Sequence, residues 1–166
     1  GDRVPLVVYQ KGRFEKREIR DILVLQFDLF PTFVELAGID SRSLQMDGRS
    51  LLPLLRGQTK RYDKRPLFWH FPAYLEGDKV DMRESGTPHF RTRPVSVLRQ
   101  GTWKLIEHYE TGKLELYNIR QDVSEKRNLS ADNPRKTKTL HELLENWKKK
   151  VGAPESTQPN PEYKDE

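Results

Sequence analysis

The stretch that decides the fold is Gln100–Ile119, QGTWKLIEHYETGKLELYNI. Polar and apolar residues alternate through much of it, and a period of two is typical of a strand with one buried face. Two dipeptides that contain glycine, Gln100-Gly101 and Thr111-Gly112, are turn signals between antiparallel strands. We therefore predict an antiparallel meander. Its predicted strands are Val95–Arg99, Thr102–His108 and Leu114–Ile119.

Elements on either side of the meander complete the predicted domain. Leu67–Phe71 is apolar and aromatic and predicts a further strand. After the meander, Asn133 is placed to cap a helix whose first residue is Pro134. Apolar residues in this helix form one stripe that would cover the open face of the sheet. The stripe consists of Leu140, Leu143, Leu144, Trp147 and Val151. The predicted fold class is α+β: a small antiparallel sheet of about four strands with a long C-terminal helix packed on it.

The N-terminal part has a different pattern. Val4–Tyr9 is apolar almost throughout, which is typical of a strand buried on both faces of a parallel sheet. Two short helices are predicted in DLFPTFVELAG (28–38) and SLLPLLRG (50–57), each with a capping residue, a proline in the first turn and a terminal glycine. The buried strand requires neighbours that this sequence does not supply. We therefore expect residues 1–57 to be the end of a truncated α/β catalytic domain, residues 58–152 an α+β subdomain, and residues 153–166 an extended or disordered tail.

Composition limits the classes of function. The 166 residues contain 30 Lys and Arg against 25 Asp and Glu, and no cysteine. A cysteine nucleophile, thiolate metal sites and disulfides are therefore excluded from this chain. No apolar run is long enough to span a bilayer. The basic balance permits a polyanionic partner, but acidic residues interrupt the basic helix end, so no nucleic-acid partner is predicted.

At this point the chain resembles a known family, the C-terminal part of the type I (formylglycine-dependent) sulfatases of the alkaline phosphatase superfamily. The resemblance follows the chain in order through GDRVPLVV, DLFPTFVELAGI, DGRSLLPLLRG, RPLFWHFPAY and the run from FRTRPVSVLRQGTWKL to the closing helix. The PLFWHFPAY form is most similar to bacterial exported sulfatases that act on carbohydrate sulfates.

The resemblance implies a division of labour between this chain and the rest of its parent. The parent is expected to hydrolyse sulfate esters of carbohydrates with a formylglycine nucleophile and a calcium ion. That nucleophile is made from a Cys/Ser-x-Pro/Ala-x-Arg motif, which is missing here. We therefore expect no catalytic residue and no metal ligand in this chain, both cofactors in a missing N-terminal part, and no activity from the chain alone. The expected partners are that catalytic domain and a sulfated carbohydrate, and the expected location is periplasmic or secreted.

Four residues are candidates for contact with substrate: His70, Tyr74, Arg91 and Arg93. His70 stands near the end of a predicted strand and either faces a sulfated sugar or is a core histidine bonded to a backbone group. Arg91 and Arg93 would lie on one side of an extended segment and clamp sulfate or carboxylate oxygens, or form ion pairs with nearby acids. Tyr74 is either a stacking platform for a sugar ring or a packing residue. The candidates lie in or beside a long polar insertion, Leu75–Arg93.

Two other functions remain open from the sequence. A phosphonate or phosphate monoester hydrolase of the same superfamily would share this layout. Alternatively, the chain is a non-catalytic module that binds acidic glycans, and its binding would then depend on salt.

Overall fold

The chain is described in two compact units. The structure, a computed structural model, describes residues 4–14, 22–40, 43–58, 65–76 and 90–155. The units comprise residues 1–64 and 65–166. No helix in the described ranges is long and apolar enough to cross a membrane. The division into three segments at residues 57 and 152 stays a prediction.

The second unit is built on a four-stranded antiparallel sheet. Its strands are β1 (Leu67–Phe71), β4 (Val95–Gln100), β5 (Trp103–His108) and β6 (Leu114–Asn118), in the order β1-β4-β5-β6. A separate two-stranded ribbon consists of β2 (Leu75–Glu76) and β3 (Phe90–Thr92). The four predicted strands are confirmed, each to within one residue at its ends. The ribbon was not predicted, because Leu75–Arg93 was interpreted as a polar insertion throughout. Residues 77–89, between its two strands, lie outside the described part.

A single helix, α3 (Pro134–Val151), packs on one face of this sheet. Leu98 lies opposite Leu105, and Leu105 opposite Leu116, so the three form a row across the strands. Leu140 and Leu144 of α3 complete a buried cluster with this row. Phe68 stacks on Trp147 at a ring-centroid distance of 4.7 Å, which extends the contact to β1. The predicted α+β class is therefore confirmed.

The ends of α3 differ in detail from the prediction. Asn133 precedes the helix, but its side chain donates to the Leu129 carbonyl oxygen at 3.2 Å and does not cap the helix. Gly152 ends the helix with a φ of 62°, a conformation that glycine adopts without strain. Val151, predicted to belong to the apolar stripe, is 53% exposed. Lys148, which the predicted stripe does not include, is buried instead and is 3% exposed.

The first unit contains two short helices, α1 (Leu29–Leu36) and α2 (Leu52–Leu55), as predicted. Asp28 precedes α1 but does not cap it. Its carboxylate is buried and accepts hydrogen bonds from the backbone N–H groups of Leu25, at 2.9 Å, and Arg49, at 2.8 Å. Asp28 therefore joins two loops of this unit, a role for which the capping pattern gave no signal.

The strand predicted over Val4–Tyr9 is wrong. The structure describes these residues without strand pairing. Val4 and Val7 are more than three-quarters exposed. An apolar run forms a strand only where another strand supplies hydrogen-bond partners, and none of the described residues does so here.

Candidate functional site

The candidate site lies where the ribbon joins the sheet. The last pair of the sheet in this direction is Phe71 opposite Val95, and the first pair of the ribbon is Leu75 opposite Thr92. Tyr74 lies on one of the two connecting segments and Arg93 on the other. The fold therefore brings two sequence-predicted candidates to one junction from positions 19 residues apart.

The other two candidates lie on either side of this junction. His70 is the last residue but one of β1 and faces Ser96 of β4. Arg91 is in β3, but its side chain lies outside the described part. Both Tyr74 and Arg93 are half-buried and interact with other groups of the protein. The predicted contacts of all four with substrate are untested by this geometry.

His70 is engaged within the protein through both ring nitrogens. Nδ1 lies 2.8 Å from the hydroxyl oxygen of Ser96, and Nε2 lies 2.7 Å from the carbonyl oxygen of Pro154. A carbonyl oxygen only accepts, so Nε2 donates the proton of that bond. The geometry thus resembles the core-histidine alternative, although the bonded backbone group lies 84 residues away in the chain. Contact with substrate would require Nε2 to give up its bond to Pro154.

Tyr109 adds a third member to this group. Its hydroxyl oxygen lies 2.8 Å from that of Ser96 and 3.4 Å from Nδ1 of His70. Its ring meets the His70 ring edge to face at 5.9 Å. The sequence analysis did not single out Ser96 or Tyr109. The available signal was their spacing from buried residues on the same face. Ser96 lies two residues before Leu98, and Tyr109 lies four residues after Leu105.

A second polar group, centred on Lys148, lies at the same end of the sheet. The Lys148 ammonium lies 2.8 Å from Oε2 of Glu107, contacts the Glu145 carboxylate, and lies 3.3 Å from Oε1 of Glu155. It is also 5.0 Å from the ring centroid of Tyr109, within range of a cation–π interaction. The two polar groups are therefore neighbours.

The acid–base properties of this second group follow from its contacts. Burial alone would raise the pKa of Glu107, but hydrogen bonds from Lys148 and His141 outweigh burial and lower that pKa. Burial alone would lower the pKa of Lys148, but its bonds to Glu107 and Glu145 raise it well above its usual value. Both side chains are therefore charged at neutral pH, and the pair is a buried salt bridge.

Metal binding is the other chemistry to consider here. Glu107, His141 and Glu145 offer ligand atoms that lie within 4.8 Å of one another. Lys148 already forms ion pairs with both carboxylates, and calcium prefers six to eight oxygen ligands. This cluster does not fit the calcium ion that the family resemblance implies. The sequence also does not contain the formylglycine precursor, because it has no cysteine and no serine in the required motif.

Comparison with known proteins gives a consistent assignment. Residues 2–151 match the family described as N-sulphoglucosamine sulphohydrolase, C-terminal. A protein named sulfatase from Formosa agariphila is 35% identical over 144 residues, which cover 81% of this chain and 24% of the relative. An N-acetylglucosamine-6-O-sulfatase from Bacteroides thetaiotaomicron is 27% identical over 150 residues, covering 89% of this chain and 25% of the relative.

Solved structures agree with this result. A protein in complex with its substrate, D-glucosamine-2-N,6-O-disulfate, has 25% identity and a TM-score of 0.57, and the match covers 79% of this chain and 25% of that protein. The chain spans about a quarter of the length of the curated relatives described above. The phosphonate monoester hydrolase and glycan-binding alternatives are not better supported.

Proposed function

Since the chain belongs to the N-sulphoglucosamine sulphohydrolase C-terminal family, and is thus the C-terminal region of a sulfatase of the alkaline phosphatase superfamily, we propose that the whole protein hydrolyses sulfate esters of carbohydrates. In this proposal the chain forms one wall of the substrate pocket. The observation that carries the proposal is the family match over residues 2–151. The names of its relatives, which refer to sulfated glucosamines, support a carbohydrate substrate.

The chemistry of the reaction belongs, in this proposal, to other residues of the same protein. The nucleophile precursor is absent from the sequence, and the described acidic cluster is occupied by a lysine. The formylglycine and the calcium ion would therefore come from a catalytic domain that this chain completes. A periplasmic or secreted location is part of the same proposal and follows the family resemblance.

The surface of the first unit supports a partner domain. Three phenylalanines just before and within α1 are each more than half exposed, and exposed apolar residues also occur among residues 4–9. These phenylalanines are Phe27, Phe30 and Phe33. Proteins rarely leave several large apolar side chains together in water unless another surface covers them. We propose that the catalytic domain of the same protein covers this face.

Activity of the whole protein tests the proposal directly. We expect the whole protein to hydrolyse para-nitrophenyl sulfate and N-acetylglucosamine-6-sulfate, and the 166-residue chain alone to hydrolyse neither. The measurement is release of sulfate, which does not depend on the chromophore. Hydrolysis of para-nitrophenyl phosphate in place of both sulfates would favour the phosphate ester alternative. Turnover by the isolated chain would contradict the assignment of the chemistry to other residues.

The predicted substrate wall is tested through its arginines. In the whole protein, Arg91→Ala is expected to lower kcat/KM for N-acetylglucosamine-6-sulfate by about tenfold or more, because a hydrogen bond to a charged group contributes about 1.5–3 kcal/mol. The small aryl sulfate should be much less affected, because in this proposal Arg91 donates to sugar oxygens beside the reacting sulfate, which the aryl sulfate lacks. Arg93→Ala is expected to act in the same direction.

A matched control separates this role from a general effect of positive charge. Arg120→Ala removes an exposed arginine from the turn that follows β6, on the other edge of the sheet from β1. It should leave kcat/KM for both substrates unchanged. Equal losses on both substrates for Arg91→Ala and Arg93→Ala would count against a role of these arginines in selecting the sugar.

A further inference from the structure

A chain of hydrogen bonds crosses the end of the sheet, from Tyr109 through Ser96 and His70 to Pro154. Each of its three links measures 2.7 or 2.8 Å between heavy atoms. Ser96 is the middle member and is completely buried, with an exposure of 0%. A buried hydroxyl that lost these partners would be costly, so the chain is a defined structural feature and not an accident of surface side chains.

The direction of the bonds follows from the Pro154 end. Because the carbonyl oxygen accepts, Nε2 of His70 bears the proton, and in the neutral ring Nδ1 is then an acceptor. Ser96 therefore donates its hydroxyl proton to Nδ1, and its oxygen accepts the hydroxyl proton of Tyr109. Each of the three links then has one donor and one acceptor. Only one histidine tautomer satisfies this arrangement.

The chain of hydrogen bonds lies close to the base of the ribbon. The pair His70–Ser96 is followed by only one further pair before both strands leave the sheet toward the ribbon. The backbone N–H of Tyr109 also donates to the carbonyl oxygen of Pro94, at 3.1 Å. Tyr109 therefore holds β4 at two points, through its side chain at Ser96 and through its backbone beside Arg93.

We propose that Tyr109 is a positioning residue that sets the orientation of the ribbon, and thereby selects the sulfated sugar, through Ser96 and His70. The inference rests on the proposed function, because it assumes that the ribbon forms the substrate wall. Tyr109 itself does not touch substrate in this scheme. Its hydroxyl fixes the ends of β1 and β4, from which Tyr74 and Arg93 extend.

The test uses two tyrosines, Tyr109 in the turn that follows β5 and Tyr117 in β6. Tyr109→Phe removes the hydroxyl at the base of the ribbon and keeps the ring. Tyr117→Phe is the matched control, because the Tyr117 hydroxyl donates a bond of similar length, 2.9 Å, to Glu115 in β6. Tyr117 is separated from β1 by two strands. Both variants remove a tyrosine hydroxyl, but of these two hydroxyls only that of Tyr109 bonds to β4.

Two measurements on these variants decide the proposal. In the 166-residue chain, Tyr109→Phe should accelerate amide hydrogen exchange about fivefold in β1, β3 and the start of β4, the effect of one lost hydrogen bond. In the whole protein it should raise KM for N-acetylglucosamine-6-sulfate by a similar factor and leave kcat for para-nitrophenyl sulfate unchanged. Tyr117→Phe should change none of these values.

The outcomes separate this inference from the proposed function. Unchanged exchange in Tyr109→Phe overturns the positioning role. Faster exchange with equal KM changes for both substrates also overturns it, while the sulfatase proposal stands. A wild-type whole protein that hydrolyses neither sulfate overturns the proposed function, and the selective role falls with it. Faster exchange together with a KM change confined to the sugar supports both.

Discussion

Replacing Lys148 with methionine is expected to lower the free energy of unfolding of the second unit by about 3 kcal/mol at neutral pH, as found when one partner of a buried ion pair is removed. The side chain is 3% exposed, and its ammonium contacts Glu107, Glu145 and Glu155. Methionine has a similar length but no charge. The variant would therefore leave the Glu107 carboxylate buried without its main partner.

Urea unfolding followed by tryptophan fluorescence measures this effect. The chain has three tryptophans, all in the second unit, so the signal reports on that unit alone. They are Trp69, Trp103 and Trp147. Lys149→Met is the matched control: it makes the same substitution one residue further along α3, at an exposed position. Its expected effect is within about 0.5 kcal/mol. Equal effects of the two variants would contradict a structural role of the buried pair.

The effect of Lys148→Met on the free energy of unfolding is also expected to depend on pH. The pKa of Glu107 is lowered in the folded state from the ordinary value of 4.5. A lowered pKa means that this group stabilises the folded protein above pH 4.5, and that the stabilisation is lost as the pH falls through the folded pKa. Without Lys148 this contribution is smaller, because burial favours the protonated acid and only His141 still opposes it. The difference in unfolding free energy between wild type and Lys148→Met should therefore narrow from neutral pH to about pH 3. A difference that stays constant would contradict the charge pairing.

The second large effect is expected from the apolar core. Leu144→Ala should lower the free energy of unfolding by about 3 kcal/mol, within the range for removing a buried leucine side chain. Leu144 is fully buried against the row of Leu98, Leu105 and Leu116. The surrounding side chains belong to regular strands, so they have little freedom to fill the space that the substitution leaves.

A control on the same helix distinguishes packing from helix propensity. Val151→Ala changes a residue that the sequence pattern also placed in the apolar stripe, but which is half exposed. Its expected effect is within about 0.5 kcal/mol, because little apolar surface returns to water. The midpoint of urea unfolding should shift for Leu144→Ala without a change in the denaturant slope. A comparable loss in Val151→Ala would show that the stripe, not the burial, sets the stability.

Much of the fold was predictable from the sequence because its signals are local. Period-two alternation and glycine turns identified the strands of the meander between Val95 and Ile119, each to within one residue at its ends. The helical stripe identified Leu140 and Leu144 as buried. In each case the periodicity of side chains along one element decides which residues face the core. The failure at Val4–Tyr9 has the converse reason, since a strand also requires a partner from elsewhere.

The candidate site was predictable in its location and not in its connections. The sequence placed His70, Tyr74 and Arg93 in or beside a long insertion, and the structure places Tyr74 and Arg93 at the junction of sheet and ribbon, with His70 to one side of it. Their contact with substrate stays a prediction. The sequence did not indicate that Ser96 and Tyr109 bond to each other and to His70. Those bonds join residues 13 and 26 positions apart, and no local pattern carries that information.

The sequence by itself determined the four strands of the main sheet, the long helix, most of the buried face of each, and the resemblance to sulfatases. Only the tertiary structure decided the polar contacts. It places Lys148 at the centre of a buried charge cluster, and it brings His70 within hydrogen-bond distance of the Pro154 carbonyl oxygen. The physical reason is the range of the interactions. Burial of an apolar face follows from spacing along one element, whereas a hydrogen bond or an ion pair depends on the position of two atoms to within a fraction of an ångström. That precision arises only after the helix has packed on the sheet.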